Sequence, residues 1–142
     1  MDSDLKRSII LDNYNNPCNR IRMDEDNNYI KLNSRNVSCI DNLDLYVKLN
    51  DNVIESITFD GDACVISIST TSIMTELLKG KSIKEAINII KNYLNMIDEK
   101  EYNEELLREA VVYEDISKQP ARIKCATLPW NTLLRKLEEF DK

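Results

Sequence analysis

The chain has 142 residues, 25 acidic and 19 basic, for a net charge of −6. That length suits a single domain over residues 1–142, with a core that needs no disulfide staples. No long basic run marks a nucleic-acid partner, no stretch approaches the ~18 apolar residues of a membrane span, and Met1 to Arg7 lacks the apolar centre of a signal peptide. The expectation is a cytoplasmic protein with reduced thiols. Its four cysteines then read as buried thiols, metal ligands or reactive groups. There is no histidine, so the commonest general base and the commonest metal ligand are both missing. Any metal must be held by Cys, Asp or Glu.

In chain order, Ser3 to Asn16 reads as a helix with Ser3 or Asp2 as N-cap, ended by Asn15-Asn16-Pro17. Cys18 to Asp26 is polar and irregular, and mobility is expected there. Tyr29 to Leu32 alternates as a short strand, and a loop rich in Asn and Ser carries Cys39. Leu43, Leu45, Val47 and Leu49 alternate with polar or amphipathic residues as a half-buried strand, and Val53 to Phe59 returns antiparallel.

Ile66 to Leu78 is β-branched at first. Its small hydroxyl residues nevertheless predict a helix packed closely on the sheet, ended by Gly80. Ser82 caps a helix from Ile83 to Ile97, whose apolar residues keep helical spacing. Glu104 to Tyr113 predicts a further helix, broken by Gln119-Pro120, and Thr127 to Phe140 a last one. An early helix, a small three-stranded antiparallel sheet and then helices is an α+β order.

Three cysteines stand at expected element boundaries. Cys39 precedes a strand, Cys64 sits at a strand-to-helix switch, and Cys125 lies between basic residues where the last helix starts. A helix start carries partial positive charge, which draws a cysteine there toward thiolate. Asp41 is close enough to Cys39 for both side chains to reach one ion. Three sulfurs and a carboxylate make a tetrahedral set for Zn²⁺, and thiolates also accept an iron–sulfur cluster. No Cys-x-x-Cys pair is present. Spacing alone therefore leaves two readings open: three unrelated buried thiols, or one shared metal.

The run Phe59-x-Gly61-x-Ala63-Cys64-x-x-Ser67-x-Ser69-x-x-Ser72-x-Met74-Thr75-Glu76, with Lys79-Gly80-Lys81-Ser82, resembles the central signature of the NifU/IscU-like iron–sulfur cluster assembly proteins. Arg122-Ile123-Lys124-Cys125-Ala126-Thr127-Leu128-x-Trp130 is similar to the third-cysteine motif of the SufU branch. The IscU scaffold branch has histidine where Lys124 stands, and SufU proteins carry an insertion between the second and third cysteines, like the long stretch here. The resemblance runs from Tyr14-x-x-Pro17-x-Asn19 to the last helix.

It implies a SufU/IscU-like fold and a Zn²⁺ held by Cys39, Asp41, Cys64 and Cys125, with a [2Fe–2S] cluster as the alternative occupant. It also implies that Cys39 accepts persulfide sulfur from a pyridoxal-phosphate-dependent cysteine desulfurase of the SufS type. A sulfurtransferase-like carrier of this kind passes the sulfur to the iron–sulfur assembly complex. Arg122 matches an arginine of the same motif, near the metal. Neither nucleic acid nor membrane is implied as a partner. The chain departs from the pattern at Val37 and Ile40, where proline and glycine are usual. A β-branched residue at position 40 disfavours positive φ. Cys18 stands where relatives have a basic residue and reads as a surface thiol.

Overall fold

The computed structural model describes residues 1–141. Helix α1 (Ser3–Asn15) is capped by Asp2, whose carboxylate accepts the Leu5 N–H at 2.8 Å. Strands β1 (Ile30–Arg35), β2 (Asn42–Asn50) and β3 (Val53–Asp62) form an antiparallel meander in that order. Asp51, at φ 55°, turns β2 into β3. Helices α2 (Val65–Leu78) and α3 (Ile83–Ile97) come next, the latter opened by a full capping box between Ser82 and Glu85. A sheet with helices packed on it is the α+β architecture expected from the order of elements.

The segment Cys18 to Asp26, expected to be mobile, is tied down. The Cys18 N–H donates to Ser72, Asn19 bonds Thr75 and Glu76, and Arg20 pairs with Asp60 and the Gly61 carbonyl.

Two helix expectations need correction. The stretch from Glu104 is not one helix. Helix α4 (Glu104–Leu107) stops at Arg108, which sits at φ 49°, and a 3₁₀ segment continues over Arg108–Tyr113. The change of course buries Leu107, Ala110 and Tyr113 together and brings the Tyr113 hydroxyl to Ser69. The last helix, α5 (Pro120–Phe140), begins seven residues earlier than Thr127. Gln119-Pro120 ends a short 3₁₀ turn over Ile116–Lys118 and also opens α5, because proline at the first helical position has its φ already set and no N–H to satisfy.

Helix α2 is the centre of the molecule, buried over eleven of its fourteen residues. It packs not only on the sheet but between α1, α5 and the 3₁₀ segment. Its small hydroxyl side chains permit that closeness, and each finds a partner, as buried polar groups must. Ser72 donates to Asn13 of α1 at 2.8 Å, and Thr71 and Thr75 bond back to helix carbonyls. Thr70 contacts the Tyr93 hydroxyl at 3.0 Å and accepts the Trp130 indole N–H at 2.8 Å. Tyr93 stacks on Trp130 with ring centroids 3.9 Å apart, and its hydroxyl donates to the Ala126 carbonyl at 2.8 Å. Helix α5 is thus locked in register against α2 and α3.

Gly61 lies beside Asn42, where β3 runs past the start of β2, at φ 138°. A Cβ there would collide with the Asn42 carbonyl oxygen. Gly61→Ala is therefore expected to cost at least about 2 kcal/mol of stability, from positive φ and the backbone clash together. Chemical denaturation of the two proteins measures it, and an unchanged midpoint would contradict the close approach.

Candidate metal centre

The loop before β2 is built by Asn36. This residue is buried; its N–H donates to the Asp41 carbonyl at 2.9 Å and its own carbonyl accepts the Cys39 N–H at 3.1 Å. Its side-chain oxygen accepts from the Ser38 N–H and hydroxyl. This is an Asx-type turn, in which asparagine replaces a backbone acceptor. No loop residue needs positive φ, so Ile40 fits in place of glycine without strain. Val37 and Ile40 point outward, 90 % and 70 % exposed. Cys39 between them is exposed as well, while Asp41, two residues on, is 3 % exposed.

Cys64 is the N-cap of α2, and its sulfur accepts the Ser67 N–H at 3.5 Å. The position at a helix start, expected of Cys125, belongs instead to Cys64. Cys125 lies in the second turn of α5, buried on the same stripe as Ala126, Trp130, Leu133 and Leu137. Because α5 starts at Pro120, the unpaired N–H groups of its first turn lie before Cys125 rather than around it.

The ligand atoms of Cys39, Asp41 and Cys125 lie within 4.8 Å of one another. Cys64 stands outside that tight trio but touches it, with its sulfur 3.8 Å from Asp41 Oδ2. Asp41 is the hub. Its Oδ1 accepts the Cys64 N–H at 2.8 Å and its Oδ2 the Ser67 hydroxyl at 2.6 Å. Burial pushes the Asp41 carboxyl up, but the bonds from Ser67, from the Cys64 N–H and from the thiols of Cys125 and Cys64 outweigh it, so it lies below its ordinary value. Burial, and after it Asp41 and Cys64, push the Cys125 thiol well above its ordinary range.

The donor set fits a cation. A buried anion sits beside the sulfurs of Cys39, Cys64 and Cys125, and among the described residues no lysine or arginine forms a salt bridge with it. In a tetrahedral zinc site with Zn–S of about 2.3 Å and Zn–O of about 2.0 Å, a sulfur and a carboxylate oxygen stand about 3.5 Å apart, and Cys64 Sγ lies 3.8 Å from Asp41 Oδ2. A bound cation would also reverse the upward push on Cys125, because it favours thiolate over thiol.

Arg122 and Lys124 are exposed on the first turns of α5, and Arg122 makes no side-chain hydrogen bond or ion pair among the described residues. Cys18 is half-buried, with its N–H bonded to Ser72, and is not among the residues whose ligand atoms converge. Two residues of the centre carried no signal as ligands in the sequence. Ser67 belongs to the signature run after Cys64 and Asn36 lies in the loop before Cys39, but only the fold shows that both bond to Asp41.

The family model of the NifU-like N terminal domain matches residues 5–137. The chain is 38 % identical over 130 residues to the zinc-dependent sulfurtransferase SufU of Bacillus subtilis, covering 91 % of this chain and 86 % of that protein. It is 33 % identical over 108 residues to the iron–sulfur cluster assembly scaffold protein IscU of Thermotoga maritima, covering 76 % of each. The crystal structure of a putative iron–sulfur cluster assembly scaffold protein for the SUF system from Fervidobacterium islandicum superposes with a TM-score of 0.81. It is 31 % identical, with 88 % of this chain and 90 % of that one covered. No helix of the described residues is long and apolar enough to cross a membrane.

Exposure and environment rank the thiols of the metal-free protein. Brief alkylation at mildly alkaline pH should modify Cys39 first and Cys125 last, as read by peptide mass spectrometry. Early labelling of Cys125 would contradict its burial beside Asp41.

Proposed function

The chain belongs to the NifU-like N-terminal domain family, and from that premise we propose that it is a zinc-dependent sulfur carrier of iron–sulfur cluster assembly. Cys39, Asp41, Cys64 and Cys125 hold the ion, and Cys39 accepts sulfur from a pyridoxal-phosphate-dependent cysteine desulfurase of the SufS type. The observation that carries this reading is the asymmetry of the site. Asp41 and Cys125 are buried and Cys64 is half-buried at the start of α2, while Cys39 lies on an exposed loop with its sulfur within 4.8 Å of the Asp41 and Cys125 ligand atoms. An acceptor thiol must meet a partner's persulfide, and an anchoring ligand must not.

Zinc, when bound, keeps its cysteine ligands deprotonated near neutral pH. Cys39 Sγ then attacks the outer sulfur of the partner's Cys–S–SH. A new S–S bond forms on Cys39, the partner's S–S bond breaks, and its inner sulfur departs as thiolate, with no net oxidation. Val37 and Ile40 present an apolar tip on either side of Cys39 that helps to exclude water from the encounter. Arg122 and Lys124, one turn or less before Cys125, offset the negative charge of three thiolates and a carboxylate. The sulfur is then passed to the cluster-building complex.

The relatives named as IscU scaffolds support a second reading, a [2Fe–2S] cluster on the same ligands. Lysine at position 124, where the scaffold branch has histidine, favours zinc.

Protein purified without oxygen should contain about one equivalent of zinc and no colour. A brown, iron-containing product would favour the scaffold. In a desulfurase assay with free cysteine, wild type should stimulate turnover and Cys39→Ala should not. Stimulation that survives Cys39→Ala unchanged would rule out sulfur acceptance on this residue.

A further inference from the structure

Ser67 touches the backbone or side chain of three of the four proposed ligands, although it is not one itself. Its hydroxyl is 2.6 Å from Asp41 Oδ2 and 3.2 Å from the Cys125 carbonyl, and its N–H donates to the Cys64 sulfur at 3.5 Å. The Cys125 carbonyl is special among those of α5. Its ordinary helical partner would be the N–H four residues on, and that residue is Pro129, which has none. An orphan acceptor is therefore held beside Ser67 inside the fold.

One hydroxyl has one proton, and it faces two acceptors. The charged carboxylate at 2.6 Å takes it, because a hydrogen bond to an ionised oxygen is shorter and stronger than one to a carbonyl at 3.2 Å. With Oδ1 occupied by the Cys64 N–H, both carboxylate oxygens are then restrained. Asp41 is thereby oriented by α2 rather than by its own loop, and each oxygen keeps only part of its lone-pair capacity for an ion.

We propose that Ser67 is the positioning residue of the metal centre: its hydroxyl orients Asp41 as a ligand, and the Cys125 carbonyl freed by Pro129 is the acceptor it turns to when Asp41 moves away. The role rests on the reading of the site as a zinc centre. It adds a residue through which the hold on the fourth ligand is set. Ser67 is 1 % exposed at the start of the central helix, so its position does not change with the loop that carries Cys39.

The test is a double-mutant cycle in the full chain, read by zinc affinity in a chelator competition and by the visible spectrum of the cobalt(II)-loaded protein. Neither readout needs the desulfurase. Ser67→Ala should weaken zinc binding about 10- to 100-fold, the usual cost of losing an outer hydrogen bond to a ligand, and should shift the cobalt bands. Ser67→Thr, which keeps a hydroxyl, should recover most of the affinity. In an Asp41→Ala background the further change Ser67→Ala should have almost no effect, because the residue acts through Asp41.

Unchanged affinity and spectrum in Ser67→Ala would overturn the proposal, and so would an equal loss in the Asp41→Ala background. Wild type that binds no zinc would overturn the metal centre together with this role. Wild type that binds zinc while Ser67→Ala behaves identically would overturn the role alone.

Discussion

The buried carboxylate of Asp41 is the constraint around which this structure is arranged. An ionised group taken out of water costs several kcal/mol unless it is fully bonded. Here the compensation comes from the first turn of α2, where the Cys64 N–H and the Ser67 hydroxyl both point at it. The positive end of the helix adds to their effect. This one contact joins the loop before β2 to the helix after β3. Cys39 is then held two residues from a fixed point and yet stays exposed, which gives the centre one exposed sulfur, one half-buried and one buried.

The same helix explains how Cys125 arrives from a distant part of the chain. Most helices bury an apolar stripe; α2 buries hydroxyls nearly all round. Each hydroxyl needs a partner in a fixed direction, so the helices around α2 cannot slide without leaving a polar atom unpaired. Trp130 bonded to Thr70, and Tyr93 bonded to the Ala126 carbonyl, set the height of α5 to within a fraction of a turn. The Cys125 sulfur is placed by that register. Large apolar contacts alone, which are non-directional, would not specify it so closely.

Much of the fold is legible in the chain because it obeys local rules. Period-two alternation marks β2 and β3, a serine cap and helical spacing mark α3, and runs of serine and threonine after Cys64 mark a closely packed helix. The departures are local too. Proline at 120 is readable as a stop, while its second meaning, a helix start, depends on what the residues after it bury. Arg108 at positive φ has no sequence signal at all, since arginine gains nothing there except the placement of Tyr113 against Ser69. The environment expected for Cys125 is found at Cys64, because the earlier start of α5 moves Cys125 from the end of a helix to its buried face.

Sequence by itself determined the chemistry on offer: three cysteines and an aspartate without histidine, in motifs that resemble one family. It also determined the order of strands and helices, which hydrophobic period controls. Tertiary structure alone decided which thiol is exposed and which are sheltered, and that the ligand atoms of Cys39, Asp41 and Cys125 lie within 4.8 Å. It alone brought Asn36 and Ser67 to Asp41. Those outcomes rest on contacts between residues far apart in the chain, and a hydrogen bond that spans such a distance leaves no local pattern by which to read it.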